Sequence, residues 1–183
     1  MATATPTGTP EAPKKNTLDT VANIAIIVTC AVALALMVNR FFFNKPAPPP
    51  GAPPQAEVGE QFDQLRQMLP AGSQKALVVA LSPSCGYCDQ SMPFYKRLID
   101  ERNQKGSGVK IIAAVPAEEA KAPEQQKFTE AGVKPDSLVA VDFASIKVPG
   151  TPTIYLVDNQ GKVLNVWVGK QNPDGEEEIV ETL

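Results

Sequence analysis

The sequence predicts an α/β domain, a mixed central sheet with helices on both faces, preceded by one transmembrane helix. Three observations predict it. Short continuous apolar runs such as Ala76-Leu77-Val78-Val79-Ala80-Leu81 alternate with segments whose apolar residues recur every three or four positions. That is the pattern of buried strands between amphipathic helices. The last two runs, Thr153 to Asp158 and Val163 to Val168, are parted only by Asn159-Gln160-Gly161-Lys162, which reads as a hairpin. Far upstream, Val21 to Val38 is almost wholly apolar, broken only by Asn23, Thr29 and Cys30.

The 18 prolines are unevenly placed and divide the chain. Residues 1–17 are mostly Ala, Thr and Pro, too poor in large apolar groups to offset the entropy of ordering, and are expected to be a disordered tail. Residues 18–43, with Phe41-Phe42-Phe43 extending the apolar run past Arg40, are expected to be a transmembrane signal anchor. At 1.5 Å per residue, about 20 residues cross a hydrocarbon core of about 30 Å. Cleavage after Ala33 or Ala35 and lipidation at Cys30 both fit less well, because the apolar run continues beyond each site. Cys30 then reads as a small apolar residue of a lipid-facing helix. Residues 44–56, from Lys45-Pro46-Ala47-Pro48-Pro49-Pro50 onward, form a Pro-rich linker. Such a chain favours polyproline II, and roughly ten residues at about 3.1 Å each hold a domain about 30 Å from its anchor.

Residues 57–183 are long enough for one core. Phe62, Leu65 and Leu69 lie at helical spacing before Pro70-Ala71-Gly72, so a short helix leads into the strand at Ala76. After that strand Cys88, Met92, Tyr95, Leu98 and Ile99 lay one stripe along a helix, stopped at Gly106-Ser107-Gly108. Val109 to Val115 reads as a central strand, Glu118 to Ala131 as a helix closed by Gly132, and Leu138 to Phe143 as a short apolar segment. Glu176 to Leu183 reads as a last helix with Pro173-Asp174 at its start. Trp167 is expected to pack in the core. Strands joined through a helical crossover should run parallel and the hairpin pair antiparallel, hence a mixed sheet.

The chemistry gathers at Ser82-Pro83-Ser84-Cys85-Gly86-Tyr87-Cys88, where the first strand gives way to a helix. At a helix start the free N–H groups and the positive end of the dipole favour a thiolate, the form that attacks disulfides. Cys85 is the candidate nucleophile. Cys88, one turn on, can close a disulfide with it and resolve a mixed disulfide. Zinc needs four ligands, and the chain offers one further cysteine and no histidine. A c-type haem needs histidine after the second cysteine, where Asp89 stands. An inert structural disulfide remains open. Lys14 and Lys15 before the span and Arg40 and Lys45 after it balance, so charge does not orient it. The dithiol argues for a domain on the oxidising, extracytoplasmic side. With 17 Lys and Arg against 20 Asp and Glu, the chain is acidic, which excludes nucleic acid as a partner.

The element order, Cys85-Gly86-Tyr87-Cys88 and Val148-Pro149-Gly150-Thr151-Pro152-Thr153 together resemble the thioredoxin fold over most of residues 57–183. The resemblance implies that Pro152 is a cis-proline facing the dithiol and that Thr151 before it binds an extended substrate chain. It implies that Pro93 kinks the dithiol helix and that Gly169 leaves room near the active site. Two departures stand out: Val79 occupies the position of the family's buried acid, and Ser84 that of the tryptophan before the dithiol. The Gly86-Tyr87 pair and Thr151 look like the periplasmic disulfide isomerases, whose separate dimerisation domain is missing. The span, spacer and hairpin are more similar to membrane-tethered reductases that keep apocytochrome cysteines reduced.

The resemblance therefore implies a membrane-anchored thiol–disulfide oxidoreductase acting on protein cysteines. Cys85 and Cys88 would be catalytic, Thr151, Pro152 and Tyr87 would bind substrate, and Gly86, Pro93 and Gly169 would be structural. No metal or cofactor is required, since the electrons reside in the sulfur pair and pass to a membrane or soluble partner protein. Absence of histidine excludes a histidine-activated nucleophile. A peroxidatic site is disfavoured because no threonine stands in the required place before Cys85. The rival class is a thioredoxin-fold scaffold that holds a static disulfide.

Overall fold

In the computed structural model, residues 17–38 and 53–183 are described. The chain divides between Pro50 and Gly51 into two units. In the first, α1 spans Thr17–Val38, and every described side chain, from Val21 to Met37, is exposed. Among the described residues no helix is long and apolar enough to cross a membrane. The tail over residues 1–16, the end of the expected anchor over 39–43 and the linker over 44–52 lie outside the described residues.

The second unit runs α2 (Asp63–Met68), β1 (Lys75–Ala80), α3 (Gly86–Gln90), α4 (Met92–Lys105), β2 (Lys110–Val115), α5 (Lys121–Ala131), β3 (Ser137–Ala140), β4 (Thr153–Asp158), β5 (Val163–Val168) and α6 (Pro173–Val180). The five strands stand in the order β3-β2-β1-β4-β5. β1 pairs parallel with β2, and β2 with β3. β4 pairs antiparallel with both β1 and β5. The sheet is therefore mixed, as the crossovers and the hairpin require. At the hairpin tip Gly161 has φ 76°. A Cβ there would lie 2.7 Å from the Arg66 amide nitrogen, so the turn packed against α2 requires glycine.

Alternation along the strands sends side chains to two cores. Leu77, Val79, Leu81, Ile111, Ala113, Ile154, Leu156 and Trp167 meet Cys88, Tyr95 and Leu98, with Phe128 of α5 and Ile179 of α6. Trp167 is thus a packing residue. Ala76, Val78, Ile112, Ala114, Tyr155, Val157 and Val163 meet Phe62, Leu65 and Ile146 on the other side. That second face is covered by the short α2 and by the non-helical stretch around Val141 to Val148, so the larger helices lie on the dithiol side. Ala56, the last residue of the expected linker, is buried there, and its N–H donates to the Lys147 carbonyl at 3.3 Å.

Three elements differ from expectation. The single dithiol helix is two, α3 and α4, which meet at Ser91 with φ −92° and ψ −4°. Pro93 has no N–H, and its ring crowds the carbonyl four residues back, so the ladder breaks just before it. The stretch Leu138 to Phe143, read only as a short apolar segment, supplies most of a strand, β3 over Ser137–Ala140, where β2 offers partners. The last helix starts at Pro173, where the Asn172 side chain accepts from the Gly175 N–H at 2.8 Å and caps it, but it ends at Val180 and not at Leu183.

Candidate active site

β1, the central strand, ends at Ala80, and the chain turns through Ser82 to Ser84 into α3. The Cys85 N–H donates to the Ser82 carbonyl at 2.9 Å and closes this turn. Cys85 is the N-cap of α3, and its Sγ accepts from the Cys88 N–H at 3.1 Å. Sulfur thus takes one of the free donors of the first turn, an arrangement that stabilises negative charge on it. The two sulfurs are bonded to each other, with Cα atoms 5.2 Å apart. They are unequal. Cys85 is half-buried, whereas Cys88 is 0% exposed and packed in the core beside Val79 and Tyr95. An incoming thiol or disulfide reaches Cys85 first, which fits the attacking role for Cys85 and the resolving role for Cys88.

Opposite stands the loop into β4. The Thr151–Pro152 peptide is cis, and the Thr151 carbonyl oxygen lies 3.2 Å from Cys85 Sγ. This loop is held from three sides. The Thr153 hydroxyl donates to the Gly150 carbonyl at 2.6 Å, and the Gly169 N–H to the Pro152 carbonyl at 2.7 Å. From the core below, the Tyr155 hydroxyl donates to the carbonyls of Ile146 and Lys147 at 3.2 and 3.0 Å. Burial raises the Tyr155 phenol far above its ordinary range, so it remains a donor. Lys147 is a non-glycine residue at φ 52°, and its ammonium bonds the Glu60 carboxylate. That bond holds the Glu60 carboxyl below its ordinary range.

Of the expected site residues, Cys85, Cys88, Thr151 and Pro152 are brought together. Tyr87 is on the rim of the dithiol turn, 62% exposed, and Gly86 is exposed beside it. Gly169 is joined to the site through its N–H. A Cβ on Gly169 would meet nothing within 4 Å, so glycine is required by its φ of 80° and not to leave room. Pro93 is exposed on the first turn of α4 and acts through the break described above.

The sequence reading placed α5 but missed its part in the site. Lys127 donates to the Pro83 carbonyl at 2.7 Å and pairs with Asp89 at 2.5 Å, tying both ends of the dithiol turn to this helix. One turn earlier, Glu124 is 0% exposed, and neither of its carboxyl oxygens has a hydrogen-bond partner. Burial raises its carboxyl above the ordinary range, Lys127 opposing and Asp89 adding to the shift. A glutamate in a polar helix reads as solvated. The one available signal was its place four residues before Phe128, on the face that enters the core. Among the described residues no cluster of His, Cys, Asp or Glu could hold a metal.

This arrangement can perform thiol–disulfide exchange: an accessible sulfur at a helix start, a buried second sulfur, and a backbone carbonyl beside the first. Comparisons place the fold. A protein of Bacteroides thetaiotaomicron named as a candidate protein disulfide isomerase matches with a TM-score of 0.54 at 15% identity, over 72% of this chain and 90% of that one. A secreted disulfide oxidoreductase of Mycobacterium tuberculosis, homologous to DsbE of E. coli, matches with a TM-score of 0.49 at 15% identity, covering 61% and 83%. StoA of Bacillus subtilis matches with a TM-score of 0.49 at 16% identity, covering 61% and 84%. A search of curated proteins finds no match. The family described as thioredoxin-like domain matches residues 61–183, more than half of the sequence and every element from α2 to α6, and the chain belongs to that family.

Proposed function

We propose that this protein is a thiol–disulfide oxidoreductase, anchored in a membrane through the apolar stretch 18–43, that exchanges disulfides with protein cysteines outside the cytoplasm. The observation that carries the reading is the inequality of the two sulfurs, with Cys85 half-buried at the cap of α3 and Cys88 enclosed. In the reducing direction the Cys85 thiolate attacks a substrate disulfide and expels one substrate thiolate, leaving a mixed disulfide. The Cys88 thiolate then attacks Cys85 Sγ and expels the second substrate thiolate. Two electrons pass to the substrate, and the Cys85–Cys88 bond is formed. In the oxidising direction each step is reversed. A partner protein restores the starting state. Thr151, at the loop facing Cys85, lends its backbone to an extended substrate segment, and exposed Tyr87 borders the path of approach.

The anchor is supported by the apolar run from Val21 to Val38 and by the exposure of every described side chain of α1. The proline-rich stretch then acts as a spacer. Turnover of insulin disulfides by the full-length chain with dithiothreitol as reductant tests the activity. Wild type is expected to turn over and Cys85→Ser to match the rate without protein. Equal behaviour of the two would instead assign the fold a scaffolding role with a static disulfide. Resistance of the protein to carbonate extraction from membranes tests the anchor, and release into the wash would overturn it.

A further inference from the structure

We propose that Glu124 is the internal acceptor for the proton that Cys88 sheds when it resolves the mixed disulfide. The inference rests on the redox reading above. Cys88 is fully enclosed in the dithiol-side core, where a thiol resists ionisation and water does not reach it. For its sulfur to attack Cys85 Sγ, its proton must leave to a group inside the protein. β1 and β2 present Val79, Leu81, Ile111 and Ala113 to this core, none of which can accept a proton. The chain has no histidine.

Glu124 is placed for the task. It projects from α5 into the protein with both oxygens unpaired, so its acceptor capacity is wholly unused. The next turn of the same helix grips the dithiol segment, Lys127 bonding Pro83 and Asp89. Phe128, four residues on, shares a core with Cys88. On the facing helices, the charged and titratable groups bearing on it are Asp89 of α3 and Tyr95 of α4, whose buried hydroxyl is also unpaired. Glu176 of α6 bears on Tyr95. On its own helix Lys127 faces it, and Lys121 is engaged by Glu118 of the preceding turn. On the β3 side, Asp136 is engaged by Arg102. Glu124 is thus a buried carboxyl near the dithiol with no ion partner of its own. Its raised affinity for a proton brings it closer to that of a thiol, which favours transfer between them. The step balances: the Cys88 proton passes to the Glu124 carboxylate, the Cys88 sulfur bonds Cys85 Sγ, and the departing substrate sulfur carries the electron pair.

Reaction of the reduced full-length chain with dithiobis(nitrobenzoate) tests this. Attack by Cys85 releases a first thionitrobenzoate and resolution by Cys88 a second, so stopped-flow absorbance reads the two steps apart. In wild type the second phase is expected to slow as pH falls through the Glu124 carboxyl. In Glu124→Gln it should slow about tenfold or more at neutral pH and lose that acidic limb, with the first phase unchanged. Lys127→Met removes the cation that lowers the Glu124 carboxyl, so its acidic limb should move to higher pH. A second phase in Glu124→Gln with wild-type rate and profile would overturn the proposal, as would an unmoved limb in Lys127→Met. A wild-type chain that releases no thionitrobenzoate would overturn the redox reading itself, and this inference with it.

Discussion

The two sides of the sheet differ in how their tyrosine and glutamate side chains are paired. On the side away from the dithiol, the Tyr155 hydroxyl is shared between two carbonyls and the Glu60 carboxylate is bonded to Lys147. On the dithiol side the Tyr95 hydroxyl, both Glu124 oxygens and Trp167 Nε1 have no partner. A paired buried group stabilises and fixes its surroundings, whereas an unpaired one costs stability and persists where charge or protons move. One side therefore holds the Thr151 loop still, and the other serves the changing charge of the sulfurs.

The largest effect that breaks this contrast is loss of the reaction. Cys88→Ser should stop catalytic turnover yet leave attack by Cys85 intact, so that a mixed disulfide with substrate accumulates on non-reducing gels. A variant that turns over normally would show that Cys88 does not resolve. Next come the two tyrosines. Tyr155→Phe leaves the Ile146 carbonyl without this donor and the Lys147 carbonyl with only the Ala56 N–H, and should cost about 1–2 kcal/mol in urea unfolding. Tyr95→Phe removes a buried hydroxyl that has at most a weak contact with Ser91 and should change stability by no more than about 0.5 kcal/mol. Equal losses from both would erase the distinction.

The contrast is sharpened by pH. Glu60 has a lowered carboxyl pKa, so its contribution is complete above the ordinary glutamate value of about 4.3 and is lost as pH falls through the folded value. Glu124 has a raised one, so stability is greatest below about 4.3 and declines as pH rises toward its folded value. Glu60→Gln should therefore flatten the acid limb of a stability profile, and Glu124→Gln should flatten the decline above it. Denaturant midpoints measured across pH 3 to 8 separate the two, and parallel shifts of both variants at all pH values would contradict the assignment. The smallest effect belongs to Tyr87. With its ring exposed, Tyr87→Ala should leave stability within about 0.5 kcal/mol while changing the KM for a protein substrate more than kcat. Kinetics with reduced and unfolded substrates check this.

Much of the redox half of this picture was legible in the chain. The strand-to-helix position of Cys85 and Cys88 and the terminal hairpin follow from local signals that tertiary structure had no reason to override, and the cis-proline at Pro152 followed from the family resemblance. Other features depend on what lies opposite. The break between α3 and α4 needed the carbonyl geometry before Pro93 as well as its presence. β3 exists because β2 offers it a partner, and the two strands end together at Val115 and Ala140. Gly169 was assigned to open space when its backbone dihedral is the reason. Glu124 was hidden because a helix of mean polar character gives little sign of which of its charges turns inward. Lys127 could not be joined to Pro83 and Asp89 from spacing, because those contacts cross about forty residues.

The central claim is that Cys85 and Cys88 form a reversible two-electron couple. Equilibrating the full-length chain with glutathione or dithiothreitol buffers, and trapping free thiols at each poise, tests it most directly. The account predicts a single two-electron transition lost in Cys85→Ser, between about −120 mV, the range of strong protein oxidants, and about −270 mV, that of thioredoxin. A bond that stays oxidised in buffers below about −300 mV would contradict it and mark the pair as structural.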